Sequence, residues 1–236
     1  MKICVFITTR YHSTRLPEKA VMRMGEDTMT DILIKRVKEA GLPVIMVTPT
    51  TPEDITYLSP LAKKHDIGYF AGENQNIIQR HLDCAAMNDI EWIINVDGDD
   101  ILTCPDLIAE VKDMIETSDG NYDCAHLTGY PLGLNLLAYT VGRLSRVEYM
   151  KDTNWGAKVL EIGPVMSGDS SVQFTDCRLT FDYMEDYFVF RDIIWALGKK
   201  TNSDRICEYM MQHPEIRAIN NFRNDEYFKR LEAMSR

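Results

Sequence analysis

The sequence predicts an α/β fold in three layers, with a mostly parallel central sheet and helices on both faces. Three observations carry this. The chain opens on an almost unbroken apolar run of strand length at residues 2–9, which suits a strand buried on both faces. Short β-branched runs then alternate with stretches of helical period through the first half, as in βαβ units joined into a parallel sheet. At 236 residues the chain is long enough for one substantial core and reads as a single domain over 1–236.

The elements follow in order. Asp27 or Thr28 caps a helix with Met29, Ile32, Leu33, Val37 and Ala40 at helical spacing, and Gly41 stands where a stop is expected. Residues 44–47 form a β-branched strand. Thr51-Pro52-Glu53-Asp54 supplies a cap, a first-turn proline and early acids for a helix to about residue 64. A strand is expected at 68–70, then a helix over 74–87 with Ile77, Ile78, His81, Leu82 and Ala85 on its inner side. A buried strand at 92–96 and a helix at 105–115 complete the clear part.

The second half is less regular. Strands are expected at 123–127 and 134–139 around the turn Tyr130-Pro131-Leu132-Gly133, with a helix at 142–150 and a loop-rich stretch at 151–171. Short strands at 172–174 and 178–181 precede Asp182. Tyr187, Phe188, Phe190, Ile194 and Leu197 line a helix stopped by Gly198. Further helices are expected at 203–211 and, charged and partly amphipathic, at 224–236.

Composition narrows the class. A hydrophobic fraction of 45% and a charged fraction of 26% are ordinary for a soluble globular protein. The net charge of −10 argues against a broad nucleic-acid or anionic-membrane surface. No apolar stretch approaches a membrane span, and the first residues lead into a strand rather than a signal peptide. The six cysteines, at 4, 84, 104, 124, 177 and 207, form no C-x-x-C pair, so reduced core thiols in a cytoplasmic protein are expected.

Against that acidity, the loop after the first strand gathers Arg10, Arg15 and Lys19 with the hydroxyls of Thr8, Thr9, Ser13 and Thr14. Ligands in open α/β sheets bind beyond the carboxyl ends of the strands, and clustered cations there call for an anion such as a polyphosphate. No G-x-x-x-x-G-K-[ST] loop occurs. Asp97-Gly98-Asp99-Asp100 follows another buried strand. Three carboxylates so close repel one another, and a bound cation such as Mg²⁺ stabilises them. Asp182 ends a short apolar run before a helix, where by itself it reads as a helix cap rather than a ligand.

The run Arg10-Tyr11-His12-Ser13-Thr14-Arg15-Leu16-Pro17-Glu18-Lys19 resembles the R-x-x-S-T-R-L-P-G-K signature of the sugar cytidylyltransferases, a family including CMP-KDO synthetase, CMP-sialic acid synthetase and SpsF-type spore-coat polysaccharide proteins. Asn95-Val96-Asp97-Gly98-Asp99-Asp100 is similar to V-Q-G-D-E-P, and Leu179-Thr180-Phe181-Asp182-Tyr183-Met184-Glu185-Asp186 to T-V-D-T-P-E-D. Ile77-Ile78-Gln79-Arg80 and Tyr130-Pro131-Leu132-Gly133-Leu134-Asn135 echo D-V-L-x-R and Y-P-D-G-L-D. The resemblance implies a nucleotide-diphospho-sugar transferase-like fold and a homodimer.

It also implies CTP as nucleotide, held by Thr8, Arg10, Ser13, Arg15 and Lys19, with Arg80 on the nucleotide side and Asp97 in place of a glutamine near the base. Asp99 and Asp182 would bind Mg²⁺, and Arg15, Lys19 and Asp99 would carry the catalysis. The expected reaction joins CMP to a small sugar acid, sugar phosphate or similar acidic metabolite with release of pyrophosphate, for surface polysaccharide or glycoconjugate synthesis. The irregular region at about 123–175 is assigned to acceptor binding and dimerisation, with His126, Asn135, Asn154 and Lys158 as acceptor candidates. Two other readings are a glycosyltransferase using Asp97-Gly98-Asp99 as a D-x-D motif and a non-catalytic nucleotide-binding relative. The chain departs from the family pattern at Glu18 for glycine, Ile101 for proline, and Tyr183-Met184 for Thr-Pro.

Overall fold

The computed structural model describes residues 1–148, 155–170, 174, 176–226 and 229. The opening run becomes β1 (Ile3–Thr8), every residue of which is buried. A short hairpin, β2 (Arg23–Met24) and β3 (Asp27–Thr28), then leads into α1 (Met29–Lys38). The chain continues through β4 (Val44–Pro49), α2 (Pro52–Lys64), β5 (Gly68–Gly72), α3 (Ile77–Met87), β6 (Trp92–Asp97) and α4 (Pro105–Thr117). Next come β7 (Cys124–Thr128), β8 (Leu136–Thr140), α5 (Val141–Leu144), α6 (Trp155–Glu161) and β9 (Met166–Asp169). The described part closes with α7 (Met184–Leu197), α8 (Ser203–Gln212) and α9 (Pro214–Arg217).

Among the described residues the main sheet has the order β5-β4-β1-β6-β8-β7-β9. Only β8 runs against its neighbours. Alternation along β1 divides the core. Ile3, Val5 and Ile7 face a layer built with α1, α2, α4, α7 and α8, while Cys4 and Phe6 face α3, α5 and α6. Both faces of the strand are therefore covered, as its continuous apolar run requires, and each such side chain contributes about 1.5–3 kcal/mol of burial. All six cysteines are free and buried, as their spacing implied.

Helix ends follow local chemistry. Thr28 and Asp31 form a reciprocal capping box on α1, and Thr51 with Pro52 starts α2 as read from sequence. The helix expected from residue 74 begins only at Ile77, because the Asn76 side chain accepts from the Gln79 amide at 3.0 Å and takes the cap position. Asp31 also receives Lys64 at 2.8 Å and His65 at 2.6 Å. Burial acts to raise its pKa, but these partners and the Thr28 amide hold it below the ordinary range. A carboxylate whose folded pKa is depressed stabilises the fold above its unfolded value, near 3.9, and that contribution disappears as pH falls through the folded value. Asp31→Asn should therefore lower the melting temperature at neutral pH and flatten the loss of stability below about pH 4. Parallel acid-unfolding curves for variant and wild type would refute this.

The irregular half corrects several expectations. The helix expected at 142–150 is only α5, capped by Thr140; residues 149 and 150 lie outside the described part. Its Arg143 is fully buried and donates to the carbonyls of Val159, Leu160, Gly163 and Pro164, so it caps the carboxyl end of α6. The loop-rich stretch thus contains a helix and also β9, which pairs in parallel with β7. Of the short strands expected at 172–174 and 178–181, residues 172 and 173 lie outside the described part, and among the described residues the second contributes a parallel bridge from Arg178 to Leu132. Gly133 makes that approach possible: at φ +102°, a Cβ would lie 2.3 Å from the Leu179 carbonyl oxygen. Most of the expected helix at 224–236 lies outside the described residues.

Candidate active site

β1 and β6 are hydrogen-bonded neighbours with Thr8 opposite Asp97, so the basic loop and the acidic turn leave the sheet side by side. Gly98 donates its amide to the Thr8 carbonyl at 2.8 Å, and a Cβ at this position would meet Thr9 side-chain atoms at 2.3 Å. Only glycine lets the two loops approach this closely. Phe181 donates its amide to the Asp99 carbonyl at 2.8 Å, which brings the segment carrying Asp182 to the same edge.

Lys19 joins the three segments. Its ammonium donates to Asp99 at 2.7 Å and to Asp182 at 2.8 Å. Burial would lower the Lys19 pKa, but the two carboxylates outweigh it and raise it, so the amine stays charged. Asp182 is nearly inaccessible, with a side chain 3% exposed, and also binds Arg15 at 2.5 Å and Arg178 at 2.9 Å. Burial pushes its pKa up; Lys19, Arg15 and Arg178 together bring it below the ordinary carboxylate range. Behind it, Asp186 accepts from the amides of Asp182 and Tyr183 at 2.7 and 2.8 Å, from Arg178 at 3.2 Å and from Asn220 at 2.8 Å. This shell orients Asp182.

On the turn, carboxylate oxygens of Asp97, Asp99 and Asp100 lie within 4.8 Å of one another. Burial and the charges of Asp99 and Asp97 raise Asp100 well above the usual carboxylate range, against a hydrogen bond from Thr180. Mutual repulsion of this kind makes the cluster receptive to a cation. Asp182 stands outside the cluster and connects to it through Lys19.

The other sequence candidates have distinct surroundings. Arg10 is exposed, and Ser13 is half-buried with its hydroxyl accepting from the Leu16 amide at 3.4 Å. Arg80 is buried and donates to the carbonyls of Glu73 and Asn74 at 2.8 and 3.2 Å, so its guanidinium braces the connection from β5 to α3. Asn135 closes the turn onto both backbone groups of Tyr130. Lys158 pairs with Glu161 at 2.8 Å. His126 lies in β7 opposite Leu137, with its pKa lowered by burial. Asn154 falls outside the described residues.

Glu18 occupies the left-handed region at φ 58°, which accounts for glycine being the family residue there. Its side chain turns to Tyr11 rather than Lys19. Burial, then Glu18 and Tyr57, raise the Tyr11 phenol to about 12. Tyr11 stacks on Tyr57 with centroids 4.3 Å apart and donates its amide to Asp54 at 2.5 Å, so the basic loop is moored to α2. Glu18→Gly removes left-handed strain of about 1–2 kcal/mol and adds unfolded-chain entropy of similar size. Stability within about 1 kcal/mol of wild type and turnover within about threefold are expected. A tenfold loss of turnover would give the Glu18 carboxylate a role beyond this mooring.

Residues 4–130 match the model of the cytidylyltransferase family. The chain belongs to that family. As a cytidylyltransferase it falls among the CTP-dependent nucleotidyltransferases. The spore coat polysaccharide biosynthesis protein SpsF of Bacillus subtilis is 24% identical over 84% of this chain and 88% of its own length. A solved cytidylyltransferase from Leptospira borgpetersenii serovar Hardjo-bovis shares the fold with a TM-score of 0.85 at 22% identity, covering 92% of this chain and 96% of that one. CMP:2-keto-3-deoxy-manno-octonic acid synthetase, solved with CTP, gives a TM-score of 0.64 at 14% identity, covering 83% and 99%.

Sequence reasoning missed Arg178, Asp186 and Asn220. Asp186 held a signal, because it stands three residues after the Tyr183 N-cap, where an acid reaches back to the cap amide; Arg178, which precedes the helix in non-helical backbone, and Asn220, 34 residues beyond Asp186, left none.

Proposed function

We propose that this cytidylyltransferase joins CMP from CTP to a small acidic or phosphorylated acceptor and depends on Mg²⁺. The observation that carries this reading is the Lys19 ammonium held jointly by Asp99 and Asp182 at the carboxyl edge of the sheet. Two oxygen donors already gathered around one cation, beside a turn of three carboxylates, form a donor set that fits a hard divalent ion. Asp99 and Asp182 would hold Mg²⁺, which when bound supplies Lewis-acid polarisation of phosphoryl oxygens and charge neutralisation.

In the transfer, an acceptor oxygen forms a bond to the α-phosphorus of CTP. The bond from that phosphorus to the bridging oxygen breaks, and its electron pair leaves on pyrophosphate. Arg15 and Lys19 are placed to stabilise the charge growing on the leaving group, and Arg10, exposed at the rim, draws the polyphosphate in. Asp182 keeps Arg15 and Lys19 aimed at one point, so positioning supplies much of the rate. The likeness to SpsF supports an acceptor used in surface polysaccharide or glycoconjugate synthesis.

The test is a nucleotide-by-acceptor screen with Mg²⁺, read as pyrophosphate. CTP with one class of sugar acid, sugar phosphate or phosphonate should give acceptor-dependent release. Tight CTP binding without release on any acceptor would point to a nucleotide-binding relative. Transfer from a nucleotide sugar without pyrophosphate would point to a glycosyltransferase.

A further inference from the structure

A hydrogen-bond chain runs from Tyr139 in β8 along the face of the sheet that α3 covers to the acidic turn, and its own donors and acceptors fix its direction. Asn95 donates Nδ2–H to Asp97 Oδ1 at 3.0 Å. That leaves Asn95 Oδ1 facing Thr8, whose hydroxyl donates to it at 2.7 Å. The Thr8 hydroxyl has a single proton, already directed at Asn95, so the 2.9 Å contact with His81 Nε2 has the imidazole as donor. His81 Nδ1 then accepts from the Tyr139 hydroxyl at 2.8 Å.

The interior members are sealed from water. His81 and Tyr139 are fully buried, and Asn95 and Thr8 nearly so, whereas Asp97 is exposed. Phe6 and Trp155 pack edge-on against the imidazole, each with centroids 5.4 Å away. Burial, reinforced by the charge of Arg80, holds the His81 pKa down to about 3, so the ring stays neutral with one N–H. The chain therefore has one tautomer, one amide orientation and one polarity from Tyr139 to Asp97. It consumes the Thr8 hydroxyl, which the sequence had offered to the nucleotide.

We propose that Tyr139, His81 and Thr8 are positioning residues for nucleotidyl transfer, acting through Asn95 to tie down one oxygen of Asp97 and so hold the turn that presents Asp99. This rests on the assignment of the acidic turn to the transfer site. Asp97 is repelled by Asp99 and Asp100; with Asn95 held, its carboxylate stays put while its second oxygen remains available to ligand. Losing the Tyr139 proton at the head lets His81 exchange tautomers; Nε2 without its proton then takes the Thr8 hydroxyl proton, and the Asn95 oxygen loses the donor that steadies the amide against Asp97.

The test combines a spectrum with a double-mutant cycle. Nitrogen chemical shifts of His81 should show the Nε2–H tautomer in wild type and a mixture in Tyr139→Phe, which keeps the ring and its packing. Turnover, as kcat/KM for CTP, should fall about three- to tenfold in Tyr139→Phe, the effect of one buried hydrogen bond. Thr8→Val cuts the chain nearer its end and should cost at least as much, and the double variant should cost no more than Thr8→Val alone. An Nδ1–H tautomer in wild type, wild-type kcat/KM in Tyr139→Phe, or additive losses would overturn the proposal. If Thr8→Val does not fold, the wild-type spectrum and the Tyr139→Phe rate decide. If wild type turns over no acceptor, the functional reading fails separately, and CTP affinity by calorimetry carries the same comparison.

Discussion

Lys19→Ala should lower kcat/KM for nucleotidyl transfer by about 10²- to 10³-fold, the size expected for removing a preorganised charge from a phosphoryl-transfer site. It should also tighten divalent-cation binding in the absence of nucleotide. Both follow from one arrangement: the ammonium lies between Asp99 and Asp182 and is itself the cation those carboxylates hold. Removing it deprives the phosphates of a partner and leaves the two carboxylates able to take an ion without competition. Arg15 and Arg178 still neutralise Asp182, so the fold should survive. Pyrophosphate release gives the first effect, and Mn²⁺ or Mg²⁺ titration by calorimetry gives the second. Wild-type turnover would remove Lys19 from the machinery, and unchanged ion affinity would show that the carboxylates do not form the metal site.

What could be read from sequence was local. The apolar run of β1, the caps at Thr28 and Thr51, and the loop and turn after β1 and β6 each depend on a few adjacent residues, and these placed the sheet, its layers and the meeting of Lys19 with Asp99. β9 was illegible for the opposite reason. Met166-Ser167-Gly168-Asp169 carries no strand signal of its own and becomes a strand by pairing with β7 some forty residues earlier. α6 was hidden likewise, because its carboxyl end is capped by Arg143 from α5 rather than by a neighbouring glycine.

The same division runs through the site. Arg80 reads as a cation available to ligand, and only the fold reveals that it braces the Glu73 and Asn74 carbonyls. Thr8 reads as a phosphate-facing hydroxyl, and only the fold brings His81 and Asn95 onto it. Charge type survives in a sequence, but whether that charge or hydroxyl is already committed to another group does not.

Asp99→Asn and Asp182→Asn remove one charge each and should have different consequences. Asp99 lies on a turn with its side chain 24% exposed and Lys19 as its ion-pair partner. Its amide variant should fold with nearly wild-type stability and lose about 10²- to 10³-fold in turnover. Asp182 is the anion around which Lys19, Arg15 and Arg178 converge. Replacing it with a neutral isostere leaves those cations facing one another in a buried place, and breaking a buried pair from one side costs about 3–5 kcal/mol. Asp186 offsets part of this through Arg178, so a loss toward the lower end of that range, with turnover at background, is expected for Asp182→Asn. Denaturant midpoints and pyrophosphate release on the two variants separate the cases. Equal stability would mean that Asp182 is not the structural centre of the cations, and residual turnover above a tenth of wild type in either variant would remove that residue from the chemistry.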